Sequence, residues 1–225
     1  MLIEFIAVTV EDAKLIEKSG ADRIELVSGL TEGGITPSYG LIERVVNSVS
    51  IPVNVMVRPH GQSFCYTEDD FSIMKNDIRI IQSLGANGVV FGVLDKKGDV
   101  DFPRLEELLT DIGPMEVTFH RAIDSSNNLI KAAQQLDQYK EITTILTSGG
   151  FGDWETRLEI LKKMKETCTS TDILIGSGLT KENISQVHTQ VATNCYHFGT
   201  AIRKNHNTLE SVSLEKATEI VHTLK

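Results

Sequence analysis

The chain of 225 residues is short of several things, and each shortage removes a class of protein. It has three cysteines, Cys65, Cys168 and Cys195. An odd number at such wide spacing matches neither a disulfide framework nor a paired zinc motif, so free thiols are expected. Basic residues are also scarce: 22 Lys and Arg stand against 31 Asp and Glu, a net charge of −9. Nucleic-acid partners are therefore not expected, because proteins that grip phosphate backbones gather Lys and Arg on one face. Long apolar runs are absent. The N-terminal run is broken by Glu4 and no basic segment precedes it, which argues against a signal peptide, a membrane span or a membrane partner and for a cytoplasmic location. With five prolines and no low-complexity segment, nothing divides the chain. One globular domain over 1–225 is the expectation.

What is present centres on residues 21–40, ADRIELVSGLTEGGITPSYG. A compact apolar run there ends in a carboxylate and opens into a glycine-rich turn. If Ile24 and Leu26 face a layer of helices, alternation turns Arg23, Glu25 and Val27 the other way, into an interior. A carboxylate among apolar neighbours is costly unless paired, so the rest of the chain should supply partners for Glu25.

The same unit, an apolar strand followed by an amphipathic helix, recurs along the sequence. Strands are expected at Leu2–Ala7, Arg23–Val27, Val53–Arg58, Gly88–Val93, Glu116–His120, Ile142–Thr147, Asp172–Gly176 and Cys195–Phe198. Between them, residues 11–20 put Ala13, Leu15 and Ile16 on one helical face, and residues 67–85 show helical apolar spacing throughout. Gly20 and Gly85 stand where helix C-terminal caps belong, Thr67 and Asp70 form a capping box, and Pro37 behind Thr36 reads as a first-turn proline. Eight such units indicate an α/β fold, a (β/α)8 TIM barrel of parallel strands. A doubly wound sheet usually carries a glycine fingerprint after its first strand, whereas here the first strand leads into AVTVED.

In such a barrel, chemistry gathers at the C-terminal ends of the strands. Alternation points Glu4, Glu25, Asn54, Arg58, His120 and His197 inward. They form either a charge-paired plug, with Glu25 and Arg58 or Glu4 and a histidine neutralising each other, or a site; their density at the mouth favours a site, since buried ion pairs add little stability. VTFHRAID (117–124) combines a titratable His120 with the guanidinium fork of Arg121, which suits a carboxylate or phosphate. The plainer reading pairs Arg121 with Asp124 and leaves His120 in the core. RPHG (58–61) leads into a loop with Phe64, Cys65 and Tyr66, expected to be a lid or an interface. Glycine turns at TSGG (147–150, with Gly149), GSG (Gly176 and Gly178) and FGTAIR (198–203, with Gly199) occupy positions that can bind an anion, although any tight turn also uses glycine. Trp154 is expected on an outer helix, as packing or an interface anchor.

The segments ADRIELVSGLTEGGITPSYG, IPVNVMVRPHGQSFCYTEDDF, GANGVVFGVLDKKGDVD, VTFHRAID and ILTSGG, in this order and spacing, resemble the CutC family of copper homeostasis proteins. The resemblance runs nearly the whole chain. It implies a cytoplasmic (β/α)8 barrel, a homodimer or larger homo-oligomer, linked to copper tolerance and to Cu(I) binding through cysteine. This chain departs from the pattern: Ile6 and Val27 stand where many relatives carry cysteine, while Cys65 is retained.

Two functions follow for testing. Copper as cofactor or cargo needs soft ligands, for which Cys65 and Cys195 are the candidates. A barrel enzyme working on a small phosphorylated or carboxylated metabolite would use Glu25 and His120, with Glu4 and His197 behind them, as acid and base. Arg58, Arg121, Gly149, Gly176, Gly178 and Gly199 would then hold the anion. A scaffold without chemistry is the third possibility.

Overall fold

A computed structural model describes all residues, 1–225. Eight strands close into a parallel barrel in sequence order, with the last returning to the first. They are β1 (Leu2–Ala7), β2 (Arg23–Leu26), β3 (Val53–Met56), β4 (Gly88–Phe91), β5 (Glu116–Phe119), β6 (Ile142–Thr147), β7 (Asp172–Ile175) and β8 (Cys195–Phe198). The helices around them are α1 (Val10–Ser19), α2 (Tyr39–Val46), α3 (Glu68–Ser83), α4 (Phe102–Leu109), α5 (Leu129–Leu136), α6 (Trp154–Thr167), α7 (Ile184–Val191) and α8 (Leu214–Leu224). None is long and apolar enough to cross a membrane.

Local chemistry sets the helix boundaries. Thr67 and Asp70 form the expected capping box on α3, and Gly20 ends α1 in the left-handed conformation at φ 86°. One boundary differs: α2 is capped by Ser38, whose side chain accepts from the Leu41 N–H, so Pro37 lies outside the helix. Serine takes the cap because its hydroxyl reaches the free N–H groups of the first turn. Five strands also end earlier than expected, β2, β3, β4, β5 and β7, so that Val27, Arg58, Val93, His120 and Gly176 lie past the strand ends toward the mouth.

Alternation sorts the strands into two faces. Ile3, Phe5, Ile24, Leu26, Val53 and Val55 pack outward into the main core under the helices. Inward, β1 climbs from Leu2 through Glu4 to Ile6, and β8 from Cys195 through His197 to Gly199. Leu2, Leu146, Leu174 and Cys195 form one apolar cluster inside the barrel, and Ile6, Val27, Met56 and Val90 form another. Register places Glu4 level with both Arg23 and His197. A polar belt is thereby set between β1, β2 and β8.

Behind β8 the chain is tied back to the barrel by a buried pair. Arg203, fully buried, reaches Asp12 at 3.1 Å and donates to the Ile6 carbonyl, while Asp12 also accepts from the N–H groups of Val8 and Val212. A charge pair without solvent needs such extra hydrogen bonds to offset its desolvation.

Candidate functional site

The mouth of the barrel holds a cavity of about 450 Å³. Glu25, Arg58, Arg121, His120 and His197 all line it, whereas Glu4 lies beneath. The plug describes Glu4, while the other inward charges border the cavity. Glu4 belongs to a plug: it accepts from Arg23 Nε at 2.6 Å and sits 2.7 Å from His197 Nδ1. Burial alone would raise its pKa, but Arg23 and then His197 overcome this and hold the carboxyl at about 2. Burial opposes a charged His197, yet Glu25 and Glu4 raise its pKa above the ordinary value. Arg23 extends the belt downward to Glu116 at 3.5 Å.

Glu25 is differently placed. Its Oε2 is 3.8 Å from His197 Nε2, and its Oε1, buried, has no hydrogen-bond partner. Burial pushes its pKa up to about 7; His197 opposes the rise and the Glu4 charge adds to it. The expected Glu25–Arg58 pair does not form. Arg58 instead donates to the carbonyls of Glu32, Gly34 and Gly61 and stacks over the Phe64 ring at 4.9 Å. Only 7% exposed, it has no carboxylate partner, and its Nε is unpaired. A buried guanidinium left in this state is an uncompensated positive charge in the cavity wall.

His120 was expected to titrate near neutrality, and the structure corrects this. Burial, then the charges of Arg58 and Arg121, lower its pKa to about 3. Its Nδ1 accepts from the Ala122 N–H at 3.2 Å, which leaves the ring proton on Nε2, a buried donor without an acceptor. The ring is fixed by the edge of Phe64 at 5.1 Å and by Gly92, where a Cβ would come within 2.5 Å of Nδ1.

Arg121, about half exposed, pairs with Asp124 at 2.9 Å, as the plainer reading of that motif held. Asp124 is itself committed to Thr147 and Ser148. Among the glycines, Gly178 and Gly199 line the cavity. Gly176 packs against Leu146 and the His197 ring, and Gly149 backs onto the Arg157 carbonyl, away from the cavity. Near the mouth, no backbone carbonyl accepts from the N–H groups of Gly178, Leu179, Thr200 or Ala201.

The cysteines do not meet. Cys195 lies at the inner, N-terminal end of β8 against Leu2 and Leu174, while Cys65 sits in the loop after β3 beyond the opposite end of the strands. Burial raises the Cys195 thiol to about 11. The one grouping of three His, Cys, Asp or Glu side chains close enough to share an ion is Glu4, Glu25 and His197, which contains no sulfur. The aromatic loop also departs from expectation: Tyr66 is 5% exposed and in the core, so it cannot anchor a subunit contact, and Phe64 forms cavity wall. Trp154 packs beneath the Arg157 guanidinium at 4.1 Å.

A parallel eight-stranded barrel in sequence order, with a cavity at the C-terminal ends of its strands, defines a TIM-barrel protein. The CutC family model matches residues 1–202, and the chain belongs to the CutC family. CutC proteins of Proteus mirabilis and Photorhabdus laumondii are each 42% identical to it, over 78% and 81% of this chain and 70% and 73% of their own. A solved CutC from Streptococcus agalactiae, described as a copper homeostasis protein, is 30% identical with a TM-score of 0.83, covering 90% of this chain and 99% of that one. Phosphoribosylanthranilate isomerase from Thermococcus kodakaraensis shares the fold, with a TM-score of 0.68 over 100% of this chain and 98% of its own at 15% identity.

Proposed function

We propose that this CutC-family barrel is an enzyme that binds a small phosphorylated or carboxylated metabolite at its mouth and acts on it by proton transfer through Glu25. The observation that carries the reading is that three residues lining one cavity each hold a buried, unpaired polar atom: Arg58 Nε, His120 Nε2 and Glu25 Oε1. Unmade hydrogen bonds of this kind cost about 1–3 kcal/mol each, and a ligand bearing negative oxygens would satisfy the two donors. Arg58 supplies the charge that selects an anion. The free N–H groups of Gly178, Leu179, Thr200 and Ala201 offer further donors on the β7–β8 side.

A copper site built on Cys65 and Cys195 does not fit, because the two thiols lie at opposite ends of the barrel. Cu(I) prefers converging thiolate or thioether ligands, and the single cluster offers only the carboxylates of Glu4 and Glu25 and the His197 imidazole, with Glu4 already bonded to Arg23 and His197.

The test is a melting screen with inorganic phosphate and small phosphorylated and carboxylated compounds. A ligand at a hundred times its Kd adds about 2.7 kcal/mol, which is a rise of roughly 5–10 °C for a chain of this size. Arg58→Ala should remove the rise, and the serine variants of both cysteines should keep it. No response to any anion would overturn the reading.

A further inference from the structure

The reaction class can be read from the protonation states that the cavity imposes. His120 cannot serve as a base: Nδ1 is occupied by the Ala122 N–H, and the ring is neutral across the physiological range. What it offers is a fixed Nε2–H that no protein oxygen accepts. A neutral imidazole held in this way is an electrophile, suited to an oxygen on which negative charge develops. Glu25 offers the complement, a carboxylate in the wall of the same cavity whose buried Oε1 has no hydrogen-bond partner. Catalytic carboxylates work best when their pKa lies near the working pH, and burial puts this one there.

We propose that the cavity abstracts a proton from the carbon next to a carbonyl in a small anionic substrate, with Glu25 as the base and His120 Nε2–H as the donor to the forming enolate oxygen. This rests on the anion-binding reading above. In the step, the Cα–H bond breaks and its proton goes to Glu25 Oε1. The electron pair of that bond forms the carbon–carbon double bond, and the carbonyl π electrons move onto oxygen, where Nε2–H holds them. On a substrate with a hydroxyl on that carbon, the hydroxyl proton passes to the former carbonyl oxygen, the new carbonyl forms, and Glu25 returns its proton to the neighbouring carbon, giving isomerisation. No oxidant or reductant is needed. The remaining charged groups have supporting places: His197, Glu4 and Arg23 stand behind Glu25, Arg58 and Arg121 on the cavity wall favour negative charge, and Glu32 and Asp124 complete the rim.

The probe is 2-phosphoglycolate, whose carboxylate imitates an enediolate and whose phosphate imitates the anionic handle. Calorimetric titration at pH 8, in buffers of different ionisation enthalpy, should show uptake of close to one proton per molecule bound, because Glu25 is ionised there and must protonate to face the carboxylate. Glu25→Gln should bind it without uptake. His120→Ala should lose at least tenfold in 2-phosphoglycolate affinity while inorganic phosphate binds within twofold of wild type. The wild-type uptake carries the test even if a variant fails to fold. If phosphate and 2-phosphoglycolate bind equally well with no uptake, the enolisation proposal falls and the anion site stands. If neither binds, both readings fall together.

Discussion

Replacing Glu25 by Gln removes the buried carboxyl that titrates near neutrality and leaves a side chain of the same shape. In the folded wild type the pKa rises from 4.5 to about 7, a preference for the protonated form of about 3 kcal/mol. A carboxyl that holds its proton more tightly when folded contributes its full stability below pH 4.5 and loses it as pH rises through about 7. Glutamine has no such dependence. The stability difference between variant and wild type should therefore grow by about 3 kcal/mol in the variant's favour between pH 4.5 and 8, or about 6–12 °C in Tm. His197 titrates in both proteins. Its raised pKa also contributes stability that fades with rising pH; without Glu25 the rise is smaller, the variant loses less of this stability, and the gain increases. Urea unfolding at half-unit pH steps measures both curves. Parallel curves, within about 0.5 kcal/mol of each other across the range, would refute the assignment of Glu25 as a buried, near-neutral carboxyl.

Asp12→Ala should destabilise the fold by about 3–5 kcal/mol, because it leaves the fully buried Arg203 without its acid, as urea unfolding would measure. Gly92→Ala should displace the His120 ring, since the new Cβ would lie 2.5 Å from Nδ1, and lower 2-phosphoglycolate affinity at least tenfold with both catalytic candidates still present. Wild-type protein should fail to hold one equivalent of Cu(I) against a competing chelator, and Cys65→Ser with Cys195→Ser should leave anion-induced melting shifts unchanged; a stoichiometric, chelator-resistant complex lost in the double variant would contradict this. Light scattering at micromolar concentration should report a homodimer or larger, with Tyr39 of α2 and Ile73 and Ile80 of α3 as the exposed apolar side chains available for the contact.

Much of the site was legible before the fold was known, because strand alternation is a strict rule. It turned Arg23, Glu25 and Val27 inward from Ile24 and Leu26, and did the same for Glu4 and His197 on their strands. Partnership was less accessible. Pairing Glu4 with Arg23 depends on the register between β1 and β2, which no single segment specifies, and the sequence suggested Arg58 as the partner of Glu25 instead. The ionisation of His120 was unreadable for a related reason. Its neutral state comes from burial by Phe64 and the charges of Arg58 and Arg121, which two separate loops, after β3 and after β5, bring together. Tyr66 shows the limit of local pattern: one residue after a half-exposed cysteine, it turns into the core beneath α3. Strand alternation marked in advance the residues that line the cavity, but the chemistry of the cavity depended on distances between strands.

The most direct measurement is a crystal structure of the protein grown with 2-phosphoglycolate. The expected result is density in the mouth cavity, with the phosphate beside Arg58 or the free N–H groups of the β7–β8 loops. A carboxylate oxygen should lie within hydrogen-bond distance of both His120 Nε2 and Glu25 Oε1. A cavity filled only with water, while the compound sits elsewhere or nowhere, would contradict the assignment of this cavity as the functional site.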